Sequence, residues 1–462
     1  CDDDAAWPAF VSSRCAEWQT RFDLNEGPLL RAVFFPAPRA GSPGRLLLSA
    51  HHIVVDGVSW RILLSDLESA FAQRMAHAAI QLPPKTSSFQ QWGRALVAHA
   101  QGDALQRERA YWHASAAAAV PPIPVDRPGA GPGAMSSTRS LHFGLSVEDT
   151  RRLQQSCNAA YRTQINELLL TAVYLGMRRW SGHTALRIRL EGHGREPLFD
   201  DIDHSGTVGW FTSVFPLLLS SPSGRVEEAI KAIKEQHRAI PHHGIGYGIL
   251  RYLACDPVLA AAGDADHDML TFNYLGQFDQ VLNEDTRFQV AREGIGPQSS
   301  LARSRSSLLG LSGKIFGGQL QFTLSYSSER HDEVTMRSLV ERIDQALLEV
   351  VRHCASPGVG AWTPSDFPLA RIDQLRLDDW QQRYPGMTSL YPATPMQAGL
   401  MFESLLDSAA YVVQTHPILR GALDLAAFRE AWDFVVARHD IFRTAFVGDG
   451  DGLHQLVSAK AA

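Results

Sequence analysis

Hydrophobic and polar positions along this chain change period several times, and each change marks a predicted element. Residues 28–35 (PLLRAVFF) and 45–55 (RLLLSAHHIVV) are rich in branched and aromatic residues and bounded by Gly and Pro, the pattern of strands. PAPRAGSPG between them is a turn signal. From Ser59 to about residue 76, Trp60, Leu63, Leu64, Leu67 and Phe71 recur at helical spacing, with Ser59 as the expected cap. A second helix is predicted over 89–115, followed by a Pro/Gly/Ser-rich crossover at 121–138. A second block opens with the strand SLHFGL, helices near 146–157 and 163–180, and a strand at 184–190. TSVFPLLL, a helix over 225–240, MLTFNYLG, the strand pair KIFGG/QLQFTLSYS and a helix over 333–353 complete it. This alternation predicts an α/β protein with two lobes of similar size. Beyond the Pro-rich stretch 362–395, a helix near 395–405, a strand near 411–419 and a helix near 424–438 begin a third unit, too short to complete a domain.

Composition narrows the class without naming it. The 462 residues suggest several domains or lobes, and 45% hydrophobic with 20% charged residues is a globular profile. A net charge of −6 and the absence of a Lys/Arg run argue against nucleic-acid binding. Five scattered cysteines (Cys1, Cys15, Cys157, Cys255, Cys354), none in a C-x-x-C pair, suit a reducing cytosol better than a disulfide framework or zinc cage. No apolar run approaches the roughly 18–20 residues of a membrane helix. CDDDAAW is not a signal peptide, and both ends read as cuts through a longer polypeptide.

Two segments carry candidate chemistry. In HHIVVDG (His51, His52, Asp56, Gly57), strand alternation lets one histidine face a given side, where Asp56 can orient its loop or ring. A histidine so held is a general acid or base near neutral pH, although two polar residues at a strand end give the same letters. EGHGRE (Glu191 to Glu196) follows another strand, with glycines that permit a tight turn and close ligand approach. A glutamate beside apolar walls becomes a better proton acceptor near pH 7; the alternative is a turn with a surface salt bridge. Two such groups at strand ends of different lobes could meet across a cleft. Asp200, Asp201, Asp203 and His204 read as a solvated loop rather than metal ligands, and Asp449-Gly450-Asp451-Gly452 as a hairpin turn. Neither a P-loop nor a G-x-S-x-G segment is present.

These motifs resemble those of epimerization domains of nonribosomal peptide synthetases, within the condensation-domain superfamily. HHIVVDGVSW, INELLLTA, EGHGRE, TVGWFTSVFP, GIGYG and FNYLGQFD occur in the family's order between residues 51 and 279. YPATPMQAGLMFESLL and ARHDIFRTAF resemble the opening of a following condensation domain. The resemblance implies an α/β fold of two chloramphenicol-acetyltransferase-like lobes in a V, the N-terminal lobe incomplete. On this reading, residues 1–130 form the N-terminal lobe, 131–359 the C-terminal lobe, 360–387 a linker and 388–462 a condensation-domain fragment. It implies L-to-D inversion of the α-carbon of an aminoacyl or peptidyl thioester, delivered on the 4'-phosphopantetheine arm of an upstream carrier protein, with no intrinsically bound cofactor or metal. A downstream condensation domain is the other implied partner, and the location a bacterial cytoplasm, with no membrane or nucleic acid involved. By position, His52 and Glu191 are the implied catalytic pair, with His51, Asp56, Gly57, Arg195, Asn273 and Tyr274 in support. Asn273 and Tyr274 match positions that could hydrogen-bond an enolate, or form a satisfied polar pair in a strand; Trp210 and Phe211 would shape the tunnel or core. Rival expectations are a peptide-bond-forming condensation domain, which in this family lacks the glutamate, and an inactive binding module that recruits partner proteins.

Overall fold

The computed structural model describes residues 6–37, 39, 41–129, 131–262, 268–277, 288–291, 293–296, 299–407, 411–449 and 452–460. They divide into two compact units, one comprising 1–157 with 164–353 and the other 158–163 with 354–462.

In the first unit, α1 (Trp7–Gln19) lays Trp7, Val11 and Cys15, spaced four apart, against Phe35 and Leu47 of an antiparallel ribbon of β1 (Leu30–Phe35) and β2 (Arg45–Ala50). The strand predicted over 45–55 stops at Ala50, and His52–Val54 coil into a 3-10 turn. Asp56, rather than Ser59, caps α2 (Gly57–Met75), accepting the Ser59 N–H at 2.7 Å. A carboxylate suits the positive end of a helix, and the Ser59 hydroxyl is spent on the Gly209 carbonyl at 2.9 Å. The single helix expected over 89–115 is two, α3 (Phe89–His99) and α4 (Asp103–Ala117), broken where Gly102 takes extended backbone to start α4.

The core of this unit is a six-stranded mixed sheet in the order β3 (Thr138–Gly144), β8 (Gln319–Ser327), β7 (Leu309–Phe316), β6 (Leu270–Gln277), β4 (Ala185–Gly192), β5 (Ser213–Ser220). β6 runs parallel to β4 and β7, and the remaining pairs are antiparallel. Pro216 lies in edge strand β5, where a residue without an N–H is tolerated. β7 and β8 join through Gly317 and Gly318, both at positive φ, a tight hairpin that few other residues permit. Leu320, Phe322, Leu324 and Tyr326 alternate into the core along β8.

Chain reversals between the strands carry α5 (Val147–Gln155), α6 (Cys157–Tyr161), α7 (Ile165–Ser181), α8 (Val226–Arg238), α9 (Ile245–Gly248), α10 (Pro257–Ala262) and α11 (Glu333–Ala355). Every residue of α7 from Glu167 to Met177 is buried, the mark of a helix enclosed on all sides. α8 buries Val226, Ala229, Ile230 and Ile233, a one-faced stripe. Gly176 lets α7 meet α11 closely, since a Cβ there would lie 2.6 Å from Ile343 Cα.

In the second unit, β9 (Met387–Pro392), β10 (Thr444–Asp449) and β11 (Gly452–Ser458) form an antiparallel sheet with β11 central. Its Leu390, Val447 and Leu456 share a core with Phe367, Leu377 and Trp380, the last two supplied by α12 (Gln374–Arg383). α13 (Pro395–Leu406) begins with a Thr394/Gln397 capping box, and α14 (Leu425–Arg438) is capped by Asp424. The strand expected near 411–419 is irregular chain: Val412, Val413 and Ile418 are exposed, and no described strand pairs with them. Gly450 and Asp451 of the expected hairpin turn lie outside the described residues.

Replacing Gly176 by Ala should force α7 from α11 and lower unfolding stability by about 1–3 kcal/mol, the usual cost of overpacking. Urea denaturation followed by far-UV circular dichroism checks this.

Candidate active site

The site forms at the carboxyl ends of β4 and β6. Leu190 stands opposite Phe272 in their parallel register, so the next residues, Glu191 and Asn273, are neighbours. Asn273 Nδ2 donates to Glu191 Oε2, which fixes the orientation of the amide, since a carboxylate only accepts. Glu191 is open to solvent along one side, while the protein around the rest of it removes enough hydration to raise its pKa. The positive charges of Arg189 and His52 oppose that rise without cancelling it. Arg189 is itself anchored by Thr271 Oγ1 and the Ser306 carbonyl, each at 3.0 Å.

His52 approaches from the loop after β2. Its Nδ1 lies 2.7 Å from the Val55 carbonyl, an acceptor, so Nδ1 carries a proton and Nε2 is the ring nitrogen left for proton exchange. Trp210 stands beside the ring, with centroids 6.0 Å apart. His51 points elsewhere: its Nδ1 accepts the Ile53 N–H, and its ring meets the edge of Phe22. The two histidines lie beyond the strand, His51 capping the 3-10 turn and His52 opening it, and so meet different surroundings. Gly57 starts α2 with nothing within 4 Å of a hypothetical Cβ, so packing does not require glycine there.

A buried ion pair ties the two motifs together. Arg195 Nη2 donates to both carboxylate oxygens of Asp56 at 3.2 Å, with both side chains almost fully buried. Arg195 Nη1 bonds the carbonyls of His204 and Thr207, and the guanidinium lies over the Phe211 ring at 3.9 Å. Asp56 also accepts the Phe211 N–H. Burial works against the Asp56 charge, but Ser59, Phe211 and Arg195 more than offset it and hold its pKa below the ordinary carboxylate range. Gly194, at φ +66, is required sterically: a Cβ would sit 1.7 Å from the Phe211 carbonyl oxygen.

Beneath the strand ends lies a cavity of about 220 Å³ lined by Glu191, Gly192, Phe272 and Tyr274 of the sheet. Gln164 and Asn166 at the start of α7, and His237 at the end of α8, complete its far wall. Burial pushes the Tyr274 phenol up to about 12, so it is a neutral hydrogen-bond donor at pH 7. PHHGIGYG folds tightly behind the cavity: Gly244, at φ +88, leaves space for the Phe215 ring, and Gly246 for the Glu108 carboxylate. Asn166 lies in INELLLTA, where nothing local marks it as a site residue, and His237 lies in no motif; packing of α7 and α8 brings both to the site. Trp210 is half exposed and Phe211 buried. His204 is buried, with Nε2 donating to the Glu196 carbonyl, and Asp203 caps its own loop at Ser205; among the described residues no cluster could hold a metal ion. Phe278 and Asp279 of FNYLGQFD lie outside the described residues.

Known proteins share this fold. The family model for the condensation domain matches residues 6–372 and 387–462, and the chain belongs to the condensation-domain family. It is 42% identical over 442 residues to one of the polypeptides of linear gramicidin synthase from Brevibacillus parabrevis, covering 94% of this chain and 6% of that protein. Bacitracin synthase 3 of Bacillus licheniformis is 34% identical over 443 residues, which cover 95% of this chain and 7% of that protein. The chain therefore spans only a small part of such relatives. Its structure resembles the crystal structure of the epimerization domain from the third module of tyrocidine synthetase B, with TM-score 0.70, 35% identity, and 76% and 78% of the two chains covered. The X-domain from teicoplanin biosynthesis, at 18% identity and TM-score 0.55 over 76% of this chain and 78% of that one, shares the fold. The chloramphenicol-acetyltransferase-like α/β fold expected from the motifs is the one present. No described helix is long and apolar enough to cross a membrane.

Replacing Arg195 by Met should strand the Asp56 charge in the interior and cost about 3–5 kcal/mol. In a double-mutant cycle, adding Asp56→Asn should recover part of that loss, measured by chemical denaturation.

Proposed function

We propose that the chain is an epimerization domain, inverting the α-carbon of an aminoacyl or peptidyl thioester carried on the phosphopantetheine arm of an upstream carrier protein. The observation that carries this reading is Glu191: a carboxylate with a raised pKa, held by Asn273, within electrostatic reach of His52 at the mouth of a cavity. Proton abstraction α to a carbonyl needs a base whose pKa lies nearer neutrality than that of a hydrated carboxylate.

In the reaction, Glu191 takes the α-proton and the electron pair moves into the thioester carbonyl, forming an enolate. His52, protonated on both ring nitrogens, gives its Nε2 proton to the opposite face of the α-carbon and is left neutral; in the reverse direction the roles exchange, with the His52 Nε2 lone pair as acceptor and the Glu191 carboxylic acid as donor. Asn273 orients the Glu191 carboxylate, and the neutral Tyr274 phenol is available to donate to the enolate oxygen, a form of stabilisation worth several kcal/mol when preorganised. Asp56 and Arg195 act through geometry, keeping the His52 loop and the Glu191 loop together. The downstream partner in this scheme is a condensation domain, with residues 388–462 as its opening segment. Residues 1–130 and 131–359 are the two lobes of the epimerase and 360–387 the linker. A bacterial cytoplasmic setting follows from the same reading.

The test loads a carrier protein with an L-aminoacyl thioester in deuterium oxide and follows chirality and α-deuterium uptake. Glu191→Gln should lower both by about 10²–10⁴-fold, the usual contribution of a positioned base. The wild-type rate should fall with decreasing pH as Glu191 protonates, with an acid limb above the value of about 4.3 for an unperturbed glutamate. Peptide-bond formation that survives Glu191→Gln would instead indicate a condensation domain, and a folded protein without exchange a binding module.

A further inference from the structure

We propose that the cavity under β4 and β6 is the subsite for the side chain of the residue being inverted, and that Asn166 and His237 make it selective for side chains ending in a hydrogen-bonding group. This inference rests on the epimerase reading of Glu191 and deepens it.

Strand alternation sets the geometry. Glu191 and Asn273 leave their strands on one face, whereas Leu190, Phe272 and Tyr274 leave on the other, toward α7 and α8. At the carboxyl ends Glu191 reaches the same cavity as Leu190, Phe272 and Tyr274, so an α-carbon at Glu191 has its side chain directed past Leu190 and Phe272 toward the helices. On the sheet side Leu190, Phe215 and Phe272 are joined by Glu196, which is paired with His193 and His243; on the helix side Leu170 and Ile240 are joined by Gln164, Asn166 and His237. Asn166 Oδ1 is buried with no hydrogen-bond partner among the described residues, and the side chain lines the cavity.

His237 lines the same wall and is fixed from behind. Its Nδ1 lies 3.6 Å from Glu167 Oε1, on a carboxylate that is 1% exposed. Arg238 Nε and the Gln164 N–H bind the same carboxylate at 2.9 and 2.8 Å, so Glu167 is locked in place. Burial opposes its charge, but these partners hold its pKa below the ordinary range. An anion behind the imidazole leaves the remaining ring edge for the cavity. An apolar side chain filling the space would leave Asn166 and His237 unpaired, whereas one ending in an amide or hydroxyl would satisfy them. A site built to bond such a group rejects the analogue without it far more strongly than an apolar pocket distinguishes by size.

Calorimetry with amide-linked aminoacyl-pantetheine conjugates, which bind without turning over, tests the subsite independently of catalysis. The probes are matched pairs: glutaminyl with methionyl, asparaginyl with leucyl, and threonyl with valyl. The wild-type chain should bind the polar member of at least one pair about tenfold or more tighter. Asn166→Leu with His237→Phe should abolish that preference while retaining the apolar member; Asn166→Ala serves the same purpose should the bulkier pair unfold. No preference in the wild type, no binding, or a preference unchanged in the variants would overturn the subsite. Deuterium uptake with the corresponding thioesters reports separately on the epimerase reading, which survives if exchange occurs without side-chain preference.

Discussion

Asp56 and Arg195 are opposite charges removed from water together, and the rest of the site is arranged around keeping them paired. Asp56 begins a helix in the segment after β2; Arg195 leaves β4 in the central sheet. Their pairing draws the loop around residues 193–211 onto α2, with Ser59 on Gly209 and the Phe211 N–H on Asp56. Desolvation makes such a pair a poor source of net stability. Its effect is geometric: breaking it leaves an uncompensated charge, so alternative loop positions are expensive. His52 lies four residues before one partner and Glu191 four before the other, so fixing the pair limits where both can stand.

Glu191 shows how the same burial serves chemistry. The surroundings that raise its pKa are opposed by two cations, leaving a carboxylate that ionises without being as weakly basic as one in water. Burial raises the Tyr274 pKa as well, so the phenol remains a proton donor over the whole physiological range. Acceptor and donor are thus set apart by environment, from residues near the carboxyl ends of neighbouring strands.

Much of this was legible in the sequence because local rules carry it. The glycines of EGHGRE signalled a tight turn, which Gly194 makes at positive φ, and the strand pair KIFGG/QLQFTLSYS is the β7–β8 hairpin. The strand expected to carry His51 and His52, by contrast, ends before them. Local rules also misled where a long-range partner decided the outcome. Ser59 lost the cap to Asp56 because its hydroxyl was claimed by Gly209, 150 residues away. The apolar run at 411–419 has strand composition, yet composition without a neighbouring strand makes no sheet. His237 lies in no motif, and Asn166 stands in INELLLTA with nothing local to mark it as a cavity residue; only the packing of α7 against α8 brings them to one wall.

The central claim is that two groups address opposite faces of one α-carbon. The most direct measurement is the isotope content of both enantiomers during the first turnover of an L-thioester in deuterium oxide. Two bases predict deuterium at the α-carbon of the D-product, with the recovered L-substrate still carrying hydrogen. Deuterium entering recovered substrate as fast as product forms would mean one exchanging base serving both faces, and would contradict the account.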